Sequence, residues 1–492
     1  MSTSSPVISV REKVGYALGD VATNFFFQSM ILYQNRFYTD TVGLSPATVG
    51  WMFLIVRLAD AVFDPIIGAL SDRTKSRWGK FRPWILWTAI PFGVAFWAVY
   101  VTPHVGPQGK LIYAYITYIL VMVLYSANNT PYSALMGVMT PDSSERTNIA
   151  RYRFVAAVFG QFLIQALALP LVDKFGHGDS AKGWAVTMAI FGVAIVVFNF
   201  IVFATTKERV QPNPEQKPSL KEDLKSVFGC KPWIAMFVLT LAYFTMLVLR
   251  GTSLNYLFTY YMDTSALTGF LGHFGLTSVG GSGGGVLDAM GLLVKPDNSN
   301  ATSVAFSLFQ VVGSLVQLMG IPFSKPLCDR FGKKAVFITS LSFTTLATVG
   351  VFFVGPTDVS LMFWLSVIWA AGWGPQVPLL WVMIADAADY SEWKTSRRAT
   401  GFMYAGILFA LKAGLGLGGA MAGWIMGAYG YVANAAQSPQ ALLGIRLGAT
   451  IYPAVLLGAC LLCLAAYPIG KALNLRIQNE LEDRRKKFAP ST

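Results

Sequence analysis

Apolar runs of about 20 residues recur twelve times along this 492-residue chain, each long enough to carry a helix across the hydrocarbon core of a bilayer. They fall near 15–38, 46–70, 84–103, 111–138, 153–172, 184–205, 232–262, 304–326, 336–354, 359–385, 401–428 and 443–470. A backbone amide inside lipid has no water to bond, so runs of this length must close their hydrogen bonds as helices. The expected fold is therefore an all-α integral membrane protein. Only 13% of the residues are charged and 54% are hydrophobic, whereas a soluble domain carries about 25% charge. The net charge of +13 does not point to nucleic acid. Most Lys and Arg residues stand in the two tails and the even-numbered loops, a bias that predicts cytoplasmic termini. The polar start, MSTSSPVISVREK, has no cleavable signal, so the first apolar run is retained. Cys460 and Cys463 sit within the apolar run LLGACLLCLAA, where packing is the expected role rather than metal or redox chemistry.

The chain divides near its middle. Residues 206–231 are polar, Pro-containing and of mixed charge, and predict a cytoplasmic linker. On either side lie two six-helix bundles, 1–205 and 232–470, followed by a tail at 471–492. The halves echo each other: Asp72-Arg73, with Gly79-Lys80, follows the second run, and Asp329-Arg330, with Gly332-Lys333, follows the eighth. Such loops are expected to serve gating and topology. Two repeated bundles around a central site are the parallel-repeat architecture of the major facilitator superfamily. The segment 263–303 predicts an external loop. Its GGSGGG at 280–285 lacks the Lys-Ser/Thr and helix start of a phosphate-binding loop and reads as flexible.

Ionisable residues inside the spans are few, and each costs about 2.5–3.5 kcal/mol at a helix centre. Asp60 and Asp64 lie four apart on one helix face, and Arg57 shares it. Two carboxylates so close repel unless a cation or proton stands between them. A static Arg57–Asp60 pair would leave Asp64 unexplained. The fourth run carries Tyr125-Ser126-Ala127-Asn128-Asn129-Thr130-Pro131-Tyr132, polar groups suited to a cavity at midplane depth. Asn24 and Gln28, four apart on the first helix, are expected to face it, with Asp20 one turn earlier. Arg151 and Arg153 open the fifth helix, where one reads as an end anchor and the other as reaching inward. Arg250 and Lys412 are the remaining charges singled out within the spans.

At these residues the chain resembles the melibiose permease-like family of glycoside–pentoside–hexuronide:cation symporters. FYTDTVGLS at 37–45, RLADAVFDPIIG at 57–68, DRTKSRWGKFRPWIL at 72–86, VMIADAADYSEWK at 382–394 and GYVANAAQS at 430–438 carry the likeness. The resemblance implies a cation site at Asp60, Asp64 and Ser126. It implies a substrate site with Asn24, Asn129 and Arg153, and places Lys412 near the cation carboxylates. Read from the spans themselves, Tyr125, Arg250 and Lys412 are further candidate substrate groups, and Asp20, Gln28 and Arg57 are possible site residues. Asn24 and Asn129 stand where melibiose permease has Asp residues, and Phe63 where it has an Asn.

The expected function is sugar or glycoside:cation symport by alternating access, with a carrier for lysolipids or other amphiphiles as the alternative. A membrane receptor or scaffold would have no reason to keep Asp60 and Asp64. No nucleophile–base pair or metal cluster is seen, so no enzyme activity, metal or cofactor is expected. The coupling ion is H⁺ or Na⁺. H⁺ is favoured because Phe63 supplies no oxygen to a Na⁺ shell. The expected partners are a small sugar and the bilayer, with no nucleic acid; a monomer in a plasma membrane, the inner membrane in bacteria, is expected.

Overall fold

The computed structural model describes residues 8–140, 143–209, 229–277, 285–395 and 400–488. Most of the expected linker and of the GGSGGG run lies outside these residues. The described chain is helical, with one isolated bridge, Thr277 to Val294, and no strand. The helices are α1 (Val10–Ser29), α2 (Pro46–Arg73), α3 (Arg82–Val99), α4 (Pro107–Met139), α5 (Ser143–Gly176), α6 (Ser180–Thr205), α7 (Lys231–Tyr260), α8 (Thr264–Gly272), α9 (Val286–Ala289), α10 (Ala301–Gly320), α11 (Ser324–Phe331), α12 (Lys333–Gly350), α13 (Val359–Thr395), α14 (Thr400–Ala428), α15 (Pro439–Ala449), α16 (Ile451–Ala466) and α17 (Lys471–Phe488).

Nine helical stretches among the described residues are long and apolar enough to cross a membrane. They begin at α4, and the expected eighth and twelfth spans are each built from two consecutive helices, α10–α11 and α15–α16. The three N-terminal helices stand where the first three spans were expected. α1 and α2 carry the charges Glu12, Lys13, Asp20, Arg57, Asp60 and Asp64, which is why they are less apolar. α1 runs on through two π-helical turns, Met30–Gln34 and Phe37–Thr41, a geometry that often marks functional stretches of helix.

α2 is sided. Trp51, Ile55, Leu58, Val62, Ile66 and Leu70 are exposed, while Met52, Phe53, Val56, Arg57 and Asp60 are buried. The outward stripe is the face a bilayer would solvate, and the polar side is turned inward. Helices approach closely through glycine: a Cβ on Gly93 of α3 would lie 2.7 Å from the Gly192 carbonyl oxygen of α6. Small residues at crossings of this kind let helices pack where lipid offers no hydrophobic driving force.

The chain forms two compact units. The first comprises Met1–Pro214, Gly251–Val311 and Gly419–Ile445; the second comprises Glu215–Arg250, Val312–Gly418 and Arg446–Thr492. Within the first unit, parts of the second half of the sequence are tied to α1 and its extension. Thr252 donates to the Ile31 carbonyl at 2.9 Å and Asn255 to the Leu32 carbonyl at 2.8 Å. Asp40 accepts from the Tyr260 and Tyr431 hydroxyls at 2.7 and 2.6 Å. The 263–303 segment also belongs here. Its described part carries α8 and α9, and Lys174 of α5 donates to the Asp288 and Ala289 carbonyls at 2.6 and 3.0 Å.

The repeated loops share a backbone feature. Gly79 has φ +107° and Gly332 has φ +87°, a region that side-chain-bearing residues rarely adopt. In the first loop the Glu208 carboxylate occupies the space a Gly79 side chain would need. It accepts the amides of Lys80, Phe81 and Arg82 at 2.9, 2.8 and 3.0 Å, capping the start of α3. Arg73 is exposed, and the side chain of Asp72 lies outside the described residues. In the second loop the Asp329 carbonyl accepts from Lys471 at 2.6 Å, and Arg330 lies over the Phe331 ring.

Candidate functional site

The cation candidates form two rungs between α2 and α4. Asp60 and Asp64 are one turn apart on α2; Ser126 and Thr130 are one turn apart on α4. Ser126 donates to Asp60 Oδ1 at 2.8 Å, and Thr130 to Asp64 Oδ1 at 3.4 Å. Equal spacing on both helices is what lets the pairs meet in register. Asp60 is fully buried, and Arg57, also buried, holds Nη1 3.6 Å from Asp60 Oδ2. The guanidinium also lies against the Met30 sulfur. Four side-chain oxygen groups thus stand along one seam, with a cation at one end. Pro65 in α2 and Pro131 in α4 each remove a helix amide within this stretch.

A second cluster joins α1, α4 and α5. Arg153 grips Asp20 with two donors, Nε to Oδ2 at 2.7 Å and Nη2 to Oδ1 at 2.9 Å. The Tyr132 hydroxyl donates to the same carboxylate at 2.6 Å. The Tyr16 hydroxyl donates to the Tyr132 carbonyl at 2.6 Å, the Tyr132 hydroxyl oxygen also lies 2.8 Å from the Tyr16 carbonyl, and the guanidinium lies over both rings. α5 starts at Ser143, so Arg151 and Arg153 lie inside the helix and do not open it as expected; Arg153 turns inward, while Arg151 is exposed. Arg153 was expected to offer its fork to substrate; here Nε and Nη2 are engaged by Asp20.

The amides split between two roles. Asn24 donates to the Asp20 carbonyl at 2.9 Å, and Asn129 to the Tyr125 hydroxyl at 3.4 Å. Gln28 accepts from Gln165 at 3.4 Å. Asn128 turns the other way, to Thr88 at 2.9 Å and Asn199 at 3.0 Å, and ties α4 to α3 and α6.

Arg250 and Lys412 belong to the second unit, on α7 and α14. Lys412 is half-buried. Arg250 is buried, with its guanidinium carbon 4.1 Å over the Trp369 ring. No metal-ligating group of His, Cys, Asp and Glu occurs among the described residues. All four cysteines are free thiols, and Cys460 lies against the Leu239 carbonyl. Sequence reasoning did not assign Thr130, Tyr132, Tyr16 or Trp369. Thr130 and Tyr132 stood in the polar run of the fourth span, and the four-residue spacing of Thr130 from Ser126 was the available signal.

A chain of membrane-length helices in which buried Asp60 and half-buried Asp64 face hydroxyls has the form of a membrane transporter. The chain matches the MFS/sugar transport protein family over residues 15–282 and 297–471, and it belongs to that family. It is similar to the inner membrane symporter YicJ of Escherichia coli K12, with 36% identity covering 92% of this chain and 90% of that protein. It is also similar to the isoprimeverose transporter of Lactiplantibacillus pentosus, with 34% identity over 94% and 89% of the two chains. A bacterial homologue of the human lysosomal transporter Spinster shares the fold, with a TM-score of 0.62 at 15% identity over 98% of this chain and 99% of that one.

Proposed function

We propose that this transporter carries a sugar or glycoside together with a cation, by alternating access of its two repeated halves, residues 1–205 and 232–470. The observation that supports this most strongly is the pair of rungs, Asp60–Ser126 and Asp64–Thr130. Two carboxylates one turn apart, lined with hydroxyls and set inside a membrane helix, form a site whose charge state a bound cation changes. Family membership and the isoprimeverose-carrying relative favour a sugar as cargo. Asn24, Asn129, Tyr125 and Gln28 supply neutral hydrogen-bonding groups of the kind sugar hydroxyls need. Arg153 keeps Nη1 for a ligand while Asp20 fixes its plane. The amphiphile reading has no observation in its favour.

The coupling ion in this reading is H⁺. Arg57 already stands against Asp60 Oδ2, which leaves little room for a closed oxygen shell, and Phe63 adds no oxygen. A proton needs a single carboxylate oxygen. Both termini are cytoplasmic in this account, and the membrane is the plasma membrane, which in bacteria is the inner one.

The test is uptake of labelled neutral glycosides and glucuronides into proteoliposomes under imposed ion gradients. An inward H⁺ gradient should drive accumulation of at least one of them, and a proton ionophore should abolish it. Accumulation that survives the ionophore and follows an inward Na⁺ gradient would overturn the choice of ion. Absence of any gradient-driven uptake would overturn the function.

A further inference from the structure

The second unit holds a stack that the cation site does not use. Arg250 is only 6% exposed, yet its Nε and Nη2 have no hydrogen-bond partner among the described residues. What holds the guanidinium is the face of Trp369, 4.1 Å from its central carbon. Trp369 stacks in turn on Trp373, with centroids 4.8 Å apart and 17° between planes. Trp373 stacks on Tyr243 at 4.5 Å and 6°. The far end is pinned. The Tyr243 hydroxyl donates to Gln376 at 3.1 Å, and Gln376 donates to Thr344 and to the Gly372 carbonyl at 3.2 and 3.0 Å. The indole N–H of Trp369 is also buried without a partner among the described residues.

A buried guanidinium without a carboxylate is costly, and a pinned aromatic shelf only partly offsets that cost. An apolar side chain would pack there more favourably. Retaining Arg250 makes sense if a ligand supplies the missing acceptors. Its unspent donors form a planar fork, and a fork suits two adjacent oxygens.

We propose that Arg250 and Trp369 are substrate-binding residues of the second unit, which clamp two neighbouring oxygen acceptors on the edge of a sugar ring. This deepens the sugar-transport reading and rests on it. The shared chemistry is a pair of adjacent oxygens, supplied either by vicinal hydroxyls of a neutral glycoside or by the carboxylate of a uronide.

The test uses the full-length protein in proteoliposomes, with methyl xyloside, methyl glucoside, methyl galactoside and methyl glucuronide as probes. Arg250→Met should raise KM about ten- to a hundredfold, the range expected for losing hydrogen bonds from a charged group. Its detergent melting temperature should stay equal to or above that of the wild type, because the variant removes an unpaired buried charge. Trp369→Phe keeps the stack and loses the N–H, so it should raise KM severalfold at unchanged stability. A loss concentrated on the glucuronide assigns the clamp to a carboxylate; a loss on the neutral glycosides assigns it to vicinal hydroxyls. The proposal is overturned if Arg250→Met keeps KM within twofold for every probe, or if its melting temperature falls in step with uptake. Wild-type protein that moves none of the probes contradicts the sugar reading itself and this proposal with it.

Discussion

Replacing Asp60 by Asn is expected to abolish accumulation: the ratio of internal to external substrate should fall to about one, the limit for a carrier whose cargo is no longer linked to an ion gradient. The Asn side chain keeps the volume and can still pair with Ser126, so the helices should stay packed. What disappears is the charge proposed to capture the cation. Asp64→Asn should act in the same direction, because Thr130 holds it on the neighbouring rung. Substrate exchange without a gradient should suffer less, since the amides on α1 and α4 are separate from the rungs. Wild-type accumulation ratios in either variant, measured by uptake into proteoliposomes, would contradict the assignment.

The second large effect is expected at Arg153. Its bidentate grip on Asp20 is partly buried, with side chains 21% and 14% exposed. Breaking one partner of such a pair leaves an uncompensated charge at a cost of about 3 kcal/mol, or more than a hundredfold if the whole term falls on binding. Lysine keeps the charge but cannot make two parallel bonds or lie flat over Tyr16 and Tyr132. Arg153→Lys should therefore lower kcat/KM for substrate about tenfold or more, and Asp20→Asn should do the same. The double variant Asp20→Asn with Arg153→Gln should regain thermal stability relative to either single variant but not transport, because the nitrogen proposed to bind substrate is gone. Uptake by Arg153→Lys at the wild-type rate would reduce Arg153 to a structural partner of Asp20. Recovery of uptake in the double variant would make the pair structural only.

Much of this was legible in the sequence, for a physical reason. Lipid forbids unpaired backbone and isolated charge, so span lengths and buried ionisable residues carry unusually direct information. Asp60 and Asp64 were visible as an i, i+4 pair, and Ser126 as part of a polar run in an apolar helix. The grip of Arg153 on Asp20 was not, because the residues are 133 positions apart and each alone has an innocent reading. Glu208 was hidden for the same reason: it caps α3 from more than 120 residues downstream. The stack of Tyr243, Trp373 and Trp369 could not be seen either. Aromatic residues in apolar runs look the same whether they face lipid or one another, and only the fold shows that Arg250 rests on one of them. The compact units likewise depend on long-range ties such as Asp40 to Tyr260 and Tyr431, which join distant parts of the chain.

The claim that substrate and cation move together is tested most directly by electrical recording. Proteoliposomes on a solid support, with equal ion concentrations inside and out, are exposed to a sudden step of a transported neutral glycoside, because a uronide anion carried with one H⁺ would move no net charge. The account predicts an inward movement of positive charge on each step for the wild type, and none for Asp60→Asn at a substrate concentration that still binds. Substrate uptake by the wild-type protein with no accompanying charge movement would contradict it.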